Sequence, residues 1–93
     1  MLKIVYHNQF NRDYKRIIKR GCNPSLLTNV LSIIVNEQPL PAKYKDHSLA
    51  ASSYYKGVRE CHVQPDWLLI YRINQETQIL YLIRTGTHSD LFK

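Results

Sequence analysis

Apolar positions change their spacing twice along this chain, and each change marks a boundary. Residues 2–6 carry Leu2, Ile4, Val5 and Tyr6 in a short β-branched run, predicted as a strand. Between 8 and 20 the apolar residues Phe10, Tyr14, Ile17 and Ile18 recur at i, i+4, i+7 and i+8, the spacing of one buried helical stripe. Gly21 accepts a left-handed cap and is the predicted stop. A second helix then opens with Asn23 as N-cap and Pro24 at the first helical position, where a missing N–H is no loss. Leu27, Val30, Leu31 and Ile34 mark its buried side, and Thr28, Asn29, Ser32 and Asn36 its uncharged outer face. The two helices are predicted to form a hairpin joined by Gly21-Cys22-Asn23. Pro39-Leu40-Pro41 ends the second, because proline disfavours helical conformation in the residue before it.

From 42 to 53 the chain is polar without a clear period and reads as a long loop, a place where function often lies. The period then becomes that of strands, predicted over 55–63, 67–73 and 78–85, each dense in Val, Ile, Leu, Tyr or Trp. Gln64-Pro65-Asp66 and Asn74-Gln75-Glu76-Thr77 are short turn sequences, so neighbouring strands should pair antiparallel as a meander. The last two strands are apolar on both faces, which predicts central positions with helices on at least one side. Gly86 breaks the third strand, and Thr87 can cap a last helical turn through Phe92. The predicted class is α+β: an N-terminal strand, a two-helix hairpin, a three-stranded antiparallel meander and a short C-terminal helical turn.

Composition narrows the possibilities. With 93 residues and 44% hydrophobic content the chain can bury one core, so a single domain over 1–93 is predicted. No apolar run approaches the roughly 20 residues of a spanning helix, and residues 1–7 lack the apolar segment and cleavage site of a signal peptide. No membrane association and a cytoplasmic setting are therefore predicted. Cys22 and Cys61 have no C-x-x-C spacing and read as reduced thiols. The formal charge of +6 favours a polyanionic partner, nucleic acid or an acidic protein. That charge is uneven: residues 1–45 hold eight Lys and Arg against Asp13 and Glu37, whereas residues 46–93 hold five of each sign. At about 100° per residue, Arg12, Lys15, Arg16, Lys19 and Arg20 fall opposite the apolar stripe of the first helix and form a basic ridge. A single basic helix face is usually only solvated, so the ridge gains meaning only from the chemistry beside it.

That chemistry lies in the second half, where His47, His62, Asp66, Trp67, Arg84 and His88 gather near turns and strand ends. Cleaving RNA without a metal requires a base for the 2′-OH proton, an acid for the departing 5′-oxygen and a cation for the phosphoryl oxygens. Histidine suits both proton roles and the arginine fork matches phosphate. His62 and Asp66 flank one turn, so Asp66 can orient a histidine; Trp67 can offer a stacking surface to a base; Arg84 and His88 flank Gly86. Each has an ordinary alternative: His62 half-exposed at a strand end, Asp66 as a turn residue, Trp67 as core, Arg84 paired with Asp90 or Glu60, His88 at a helix end, His47 in a loop. From spacing alone the two readings stand even. His7 is assigned an ordinary structural place. A zinc site is poorly supported, because the candidates come from four segments without a local H-x-x-x-H pair, and no metal or other cofactor is predicted. The chain also lacks a Gly-rich phosphate loop and a G-x-S-x-G turn. Cys61 and His62, as neighbours on a strand, face opposite sides and make a poor nucleophile pair.

Three stretches tip the balance. Tyr44-Lys45-Asp46-His47, the run Lys56-Gly57-Val58-Arg59-Glu60-Cys61-His62-Val63-Gln64-Pro65-Asp66-Trp67-Leu68-Leu69-Ile70-Tyr71, and Arg84-Thr85-Gly86-Thr87-His88-Ser89-Asp90-Leu91-Phe92 resemble the YafQ-type mRNA interferases of the RelE/ParE toxin superfamily over nearly the whole chain. The resemblance implies a RelE-like fold and a toxin of a type II toxin–antitoxin system. It also implies ribosome-dependent cleavage of messenger RNA in the A site, leaving a 2′,3′-cyclic phosphate and a 5′-OH, with no cofactor. The implied partners are mRNA on the 70S ribosome, 16S rRNA along the face of Arg12, Lys15, Arg16 and Lys19, and a cognate antitoxin. By the same resemblance His88 is the general acid, Arg84 the phosphate stabiliser, and His47 or His62 with Asp66 the general-base side; Trp67, Arg59 and Phe92 contact substrate. The segment Ala50-Ala51-Ser52-Ser53-Tyr54 is longer than the Gly-containing link usual in the family. The competing reading on the same fold is a ParE-like gyrase poison without nuclease activity, which accounts for the basic helix but not for the His, Asp and Arg set. A general nucleic-acid-binding module is a third.

Overall fold

The computed structural model describes residues 1–49 and 57–92. Its elements are β1 (Lys3–Tyr6), α1 (Asn8–Lys19), α2 (Pro24–Val35), a 3-10 turn (Ala42–Tyr44), β2 (His47–Ser48), β3 (Arg59–Gln64), β4 (Trp67–Asn74), β5 (Ile79–Gly86) and α3 (His88–Leu91). The α+β class, the helix hairpin, the meander and the last helical turn are as predicted. The sheet is larger than predicted, with five strands in the order β1-β5-β4-β3-β2. β1 runs parallel to β5, placing Lys3 opposite Ile79 and Tyr6 opposite Leu82. The segment predicted as a loop from 42 onward contributes the 3-10 turn and the two-residue β2, which pairs antiparallel with β3. Residues 50–56, which include the link 50–54 and the predicted start of the first meander strand, lie outside the described residues.

Local chemistry accounts for the helix ends. Gly21 takes φ +97°, and the amides of Gly21 and Cys22 bond back to Ile18 and Ile17, closing α1. Asn23 caps α2 by accepting from the Ser25 amide at 3.0 Å. Phe10, Ile17, Leu27, Val30 and Ile34 then pack on one sheet face, against Cys61, Val63, Trp67, Leu69, Tyr71, Leu80 and Leu82. This is the main core. The opposite face carries a smaller cluster, Val58, Leu68, Ile70 and Leu91, with Leu49 and Ile83 at its margin. β4 and β5 hold interior positions, which is why both their faces are apolar.

Strand register sets up the functional face. His47 is opposite Glu60, Glu60 opposite Ile70 and Ile70 opposite Arg84, so one lateral row crosses four strands. The next row on the same face contains His62, Leu68 and Gly86, with α3 directly after. A bulge in the β4–β5 ladder falls between Ile70 and Tyr71, next to Arg84.

Candidate active site

β1 is too short to cover the whole of β5. Its register ends at Tyr6 opposite Leu82, leaving the edge of β5 at Arg84 and Thr85 to α1. Asp13, fully buried on that helix, fills the gap. It accepts the Thr85 amide at 3.2 Å, the Arg84 guanidinium at 2.9 and 3.0 Å, and the Gln9 amide at 3.0 Å. Burial pushes the Asp13 carboxyl up, yet the donors Arg84, Gln9 and Thr85 together hold it below the ordinary value. The ordinary alternative for Arg84 was a pairing with Asp90 or Glu60. Its partner here is Asp13, because the helix packs where the first strand stops.

α3 carries His88, and three contacts fix it. Thr87 and Asp90 form a reciprocal capping box, with the Asp90 amide bonded to the Thr87 hydroxyl at 3.1 Å and the Thr87 amide to Asp90 at 3.0 Å. Asp90 also receives Arg20 at 2.7 and 3.1 Å and lies 3.5 Å from Arg16. The Arg20 guanidinium is the main cause that holds the Asp90 carboxyl far below the usual carboxylate range. The basic ridge is therefore not wholly turned to solvent: its C-terminal cations moor the last helix. Gly86 precedes the cap at φ +151°, where a Cβ would stand 2.9 Å from an Asp90 carboxylate oxygen.

On this platform the imidazoles meet. Asp66 accepts both the His88 amide (3.0 Å) and His88 Nδ1 (2.8 Å) on one oxygen, and those bonds, the amide first, lower its carboxyl. The ring of His62 stands 5.7 Å from that of His88, edge to face. His62 Nδ1 donates to the Pro65 carbonyl at 3.2 Å, and His47 Nδ1 to the Lys45 carbonyl at 2.8 Å. With both Nδ1 protons so engaged, each ring turns Nε2 toward Glu60, at 3.6 Å for His62 and 3.5 Å for His47. Glu60 is 5% exposed and bridges the two. Asp66 thus pairs with His88, whereas the sequence pointed it toward the His47 and His62 side; Glu60 takes that place.

Two predicted substrate contacts are displaced. Trp67 is 3% exposed, its indole N–H bonded to the Thr85 hydroxyl at 2.9 Å, so it is core and offers no face to a base. It alternates with Leu69 and Tyr71 on the helix-covered face of β4, which explains the burial. Arg59 is engaged through Nε and Nη2 by Asp46, at 2.9–3.3 Å, instead of reaching outward alone. Phe92, 43% exposed and 6.5 Å from the His88 ring, is the aromatic that stands beside the imidazoles. Arg12, Lys15, Arg16 and Lys19 are exposed on α1. His7 lies edge-on to Tyr81 at 5.9 Å. Among the described residues no three His, Cys, Asp or Glu side chains converge as a metal cage, and no helix is long and apolar enough to cross a membrane.

Asp13 and Glu60 are the members of this cluster that sequence reasoning missed, and both carried a signal. Asp13 sits three residues from Phe10 and four from Ile17, inside the apolar stripe, where a carboxylate requires a cation. Glu60 is two residues from His62 on one strand and therefore shares its face.

The chain is similar to known proteins along nearly its whole length. The family model described as the bacterial toxin of type II toxin–antitoxin systems, YafQ, matches residues 2–93. The mRNA interferase toxin YafQ of Escherichia coli strain B/BL21-DE3 is 43% identical over 90 residues, covering 96% of this chain and 94% of the relative. A metal-bound toxin from Helicobacter pylori superposes with a TM-score of 0.91 at 43% identity, over 99% of this chain and 100% of that one. YafQ in the E. coli DinJ–YafQ complex superposes at 0.88 with 42% identity over 100% of both chains.

Proposed function

This chain belongs to the YafQ family of bacterial type II toxin–antitoxin toxins, and on that premise we propose that it cuts messenger RNA on the ribosome by metal-independent acid/base catalysis. Its relatives are named mRNA interferases, and the chain is accordingly an endoribonuclease. The observation that carries the mechanism is the pairing of two differently supported imidazoles across 5.7 Å. On one side His62 shares Glu60 with His47; on the other His88 is held by Asp66.

In this reading Nε2 on the Glu60 side takes the 2′-OH proton. The 2′-oxygen attacks phosphorus, the bond to the 5′-oxygen breaks, and His88 supplies the proton that makes it a 5′-OH. A 2′,3′-cyclic phosphate remains. Arg84, in the lateral row of Glu60, is oriented by Asp13 before substrate arrives, as a stabiliser of phosphoryl charge must be. Phe92 replaces Trp67 as the stacking aromatic, a contact worth about 1–3 kcal/mol per base. The α1 face of Arg12, Lys15, Arg16 and Lys19 supplies 16S rRNA contacts on the 70S ribosome. A cognate antitoxin neutralises the toxin, as the DinJ–YafQ complexes of relatives suggest. A cytoplasmic site of action follows from a ribosomal substrate.

The test is to map 5′ ends of transcripts after expression of the wild-type chain and of His88→Ala. New ends in reading frame with the wild type, and a rate lowered by about 10²–10⁴-fold in the variant, are expected. Intact messages with a DNA-damage response would point to a gyrase poison instead. Full activity of a folded His88→Ala would remove that residue from the mechanism.

A further inference from the structure

We propose that Asp46 is a positioning residue of the nuclease site, docking β2 through Arg59 and Tyr71 so that His47 is set against Glu60. The inference rests on the nuclease reading above.

β2 is two residues long and, among the described residues, is the last strand of the sheet, in register with Glu60 and Arg59. One further backbone bond follows it, Leu49 to the Val58 carbonyl at 2.9 Å. A strand of that length has little hold of its own. Just before it, Lys45 adopts a left-handed conformation at φ 48°. Between these lies Asp46, whose carboxylate accepts the Tyr71 hydroxyl at 2.5 Å and Arg59 Nε and Nη2 at 2.9–3.3 Å. Tyr71 belongs to the main core, so this anchor is rooted in the rigid part of the molecule.

The two faces of the sheet explain the consequence. Arg59 and Tyr71 are directly paired, and Tyr71 packs on the helix-covered side with Cys61. Glu60 and His62 point to the opposite side, as strand alternation requires. Asp46 reaches the first set and His47, the next residue, reaches Glu60 of the second. Anchoring Asp46 on one side therefore fixes the register that puts the His47 imidazole on the other. A one-residue slip would turn it away. Arg59, whose fork Asp46 occupies, acts here as part of the dock.

The experiment is a double-mutant cycle read by single-turnover cleavage of ribosome-bound mRNA with wild type, Asp46→Asn, His47→Ala and the double variant, each checked for folding. Asp46→Asn should lower the single-turnover rate by about 10²-fold, the penalty of a displacement near 1 Å. In the His47→Ala background it should lower the rate no further. Tyr71→Phe, which removes only the hydroxyl, should show a smaller loss that also vanishes in that background, and serves if Asp46→Asn does not fold. Equal losses in both backgrounds, or a wild-type rate for Asp46→Asn, overturn the proposal. An inactive wild type would sink the nuclease reading instead. In that event NMR decides the dock: Asp46→Asn should shift the His47 ring signals and leave those of His7 in place, and unshifted His47 signals refute it.

Discussion

Replacing Asp13 by Asn tests the buried pair that orients Arg84. The substitution keeps the shape of the side chain and removes its charge, leaving one acceptor oxygen for four donor contacts, from Arg84, Thr85 and Gln9. Breaking a buried ion pair by removing one partner is typically worth about 3–5 kcal/mol. The Arg84 side chain is 22% exposed, so water recovers part of its share. The Thr85 amide is buried and recovers nothing, a loss of about 1–3 kcal/mol on its own. Together these place the destabilisation at about 3 kcal/mol, or roughly 12–24 °C in Tm for a domain of this size. The pH dependence has a definite sign. Asp13 titrates below its ordinary value in the folded protein, so its contribution is complete above the unfolded pKa of about 3.9 and fades as pH falls through the folded one. Urea unfolding of both proteins at pH 7 and pH 3 is the assay. The gap between them should be large at pH 7 and shrink at pH 3, where Asp90 and Asp66 weaken wild type and variant alike. A loss under about 1 kcal/mol at pH 7, or an equal gap at both pH values, would refute the account.

Other outcomes follow from neighbouring features. Gly86→Ala should lose about 1–3 kcal/mol from backbone strain and slow cleavage, since its Cβ would stand 2.9 Å from the Asp90 carboxylate that moors α3; a melting curve and rate equal to wild type would contradict this. Cleavage should be unaffected by EDTA when magnesium is held constant for the ribosome, whereas abolition by EDTA and recovery with zinc would favour a metal-dependent site. Burial pushes the Cys61 thiol up to about 12, so iodoacetamide should label it only in denaturant, as mass spectrometry of the native and unfolded protein would show.

The helices, the meander and the imidazole-bearing segments are legible in the sequence because their signals are local: a 3.6-residue stripe, an Asn-Pro cap, turn residues at short spacing. What escapes is long-range. Nothing near Lys3 announces that it pairs with Ile79, and no pattern distinguishes His47–Ser48 from its polar surroundings as a strand. Trp67 misleads because a tryptophan beside a turn resembles a stacking platform, while its alternation with Leu69 and Tyr71 gives the burial away. Asp66 stands out in the sequence as a carboxylate beside a turn, but its partner, His88, depends on where α3 folds back. The carboxylates of this cluster, Asp13, Asp46, Glu60 and Asp90, each hold a partner distant in sequence, Arg84, Arg59, His47 and Arg20, and those pairings appear only with tertiary packing.

The parallel union of β1 with β5 dictates an order of assembly. During synthesis the opening strand emerges early, yet the neighbour that receives it arrives only after two helices and three more strands. Closure of the sheet is therefore a late event, and a nascent molecule lacks both the Arg84 strand and the turn bearing His88 until then. The platform that carries the imidazoles is thus completed last, and a polypeptide abandoned partway through translation never assembles it.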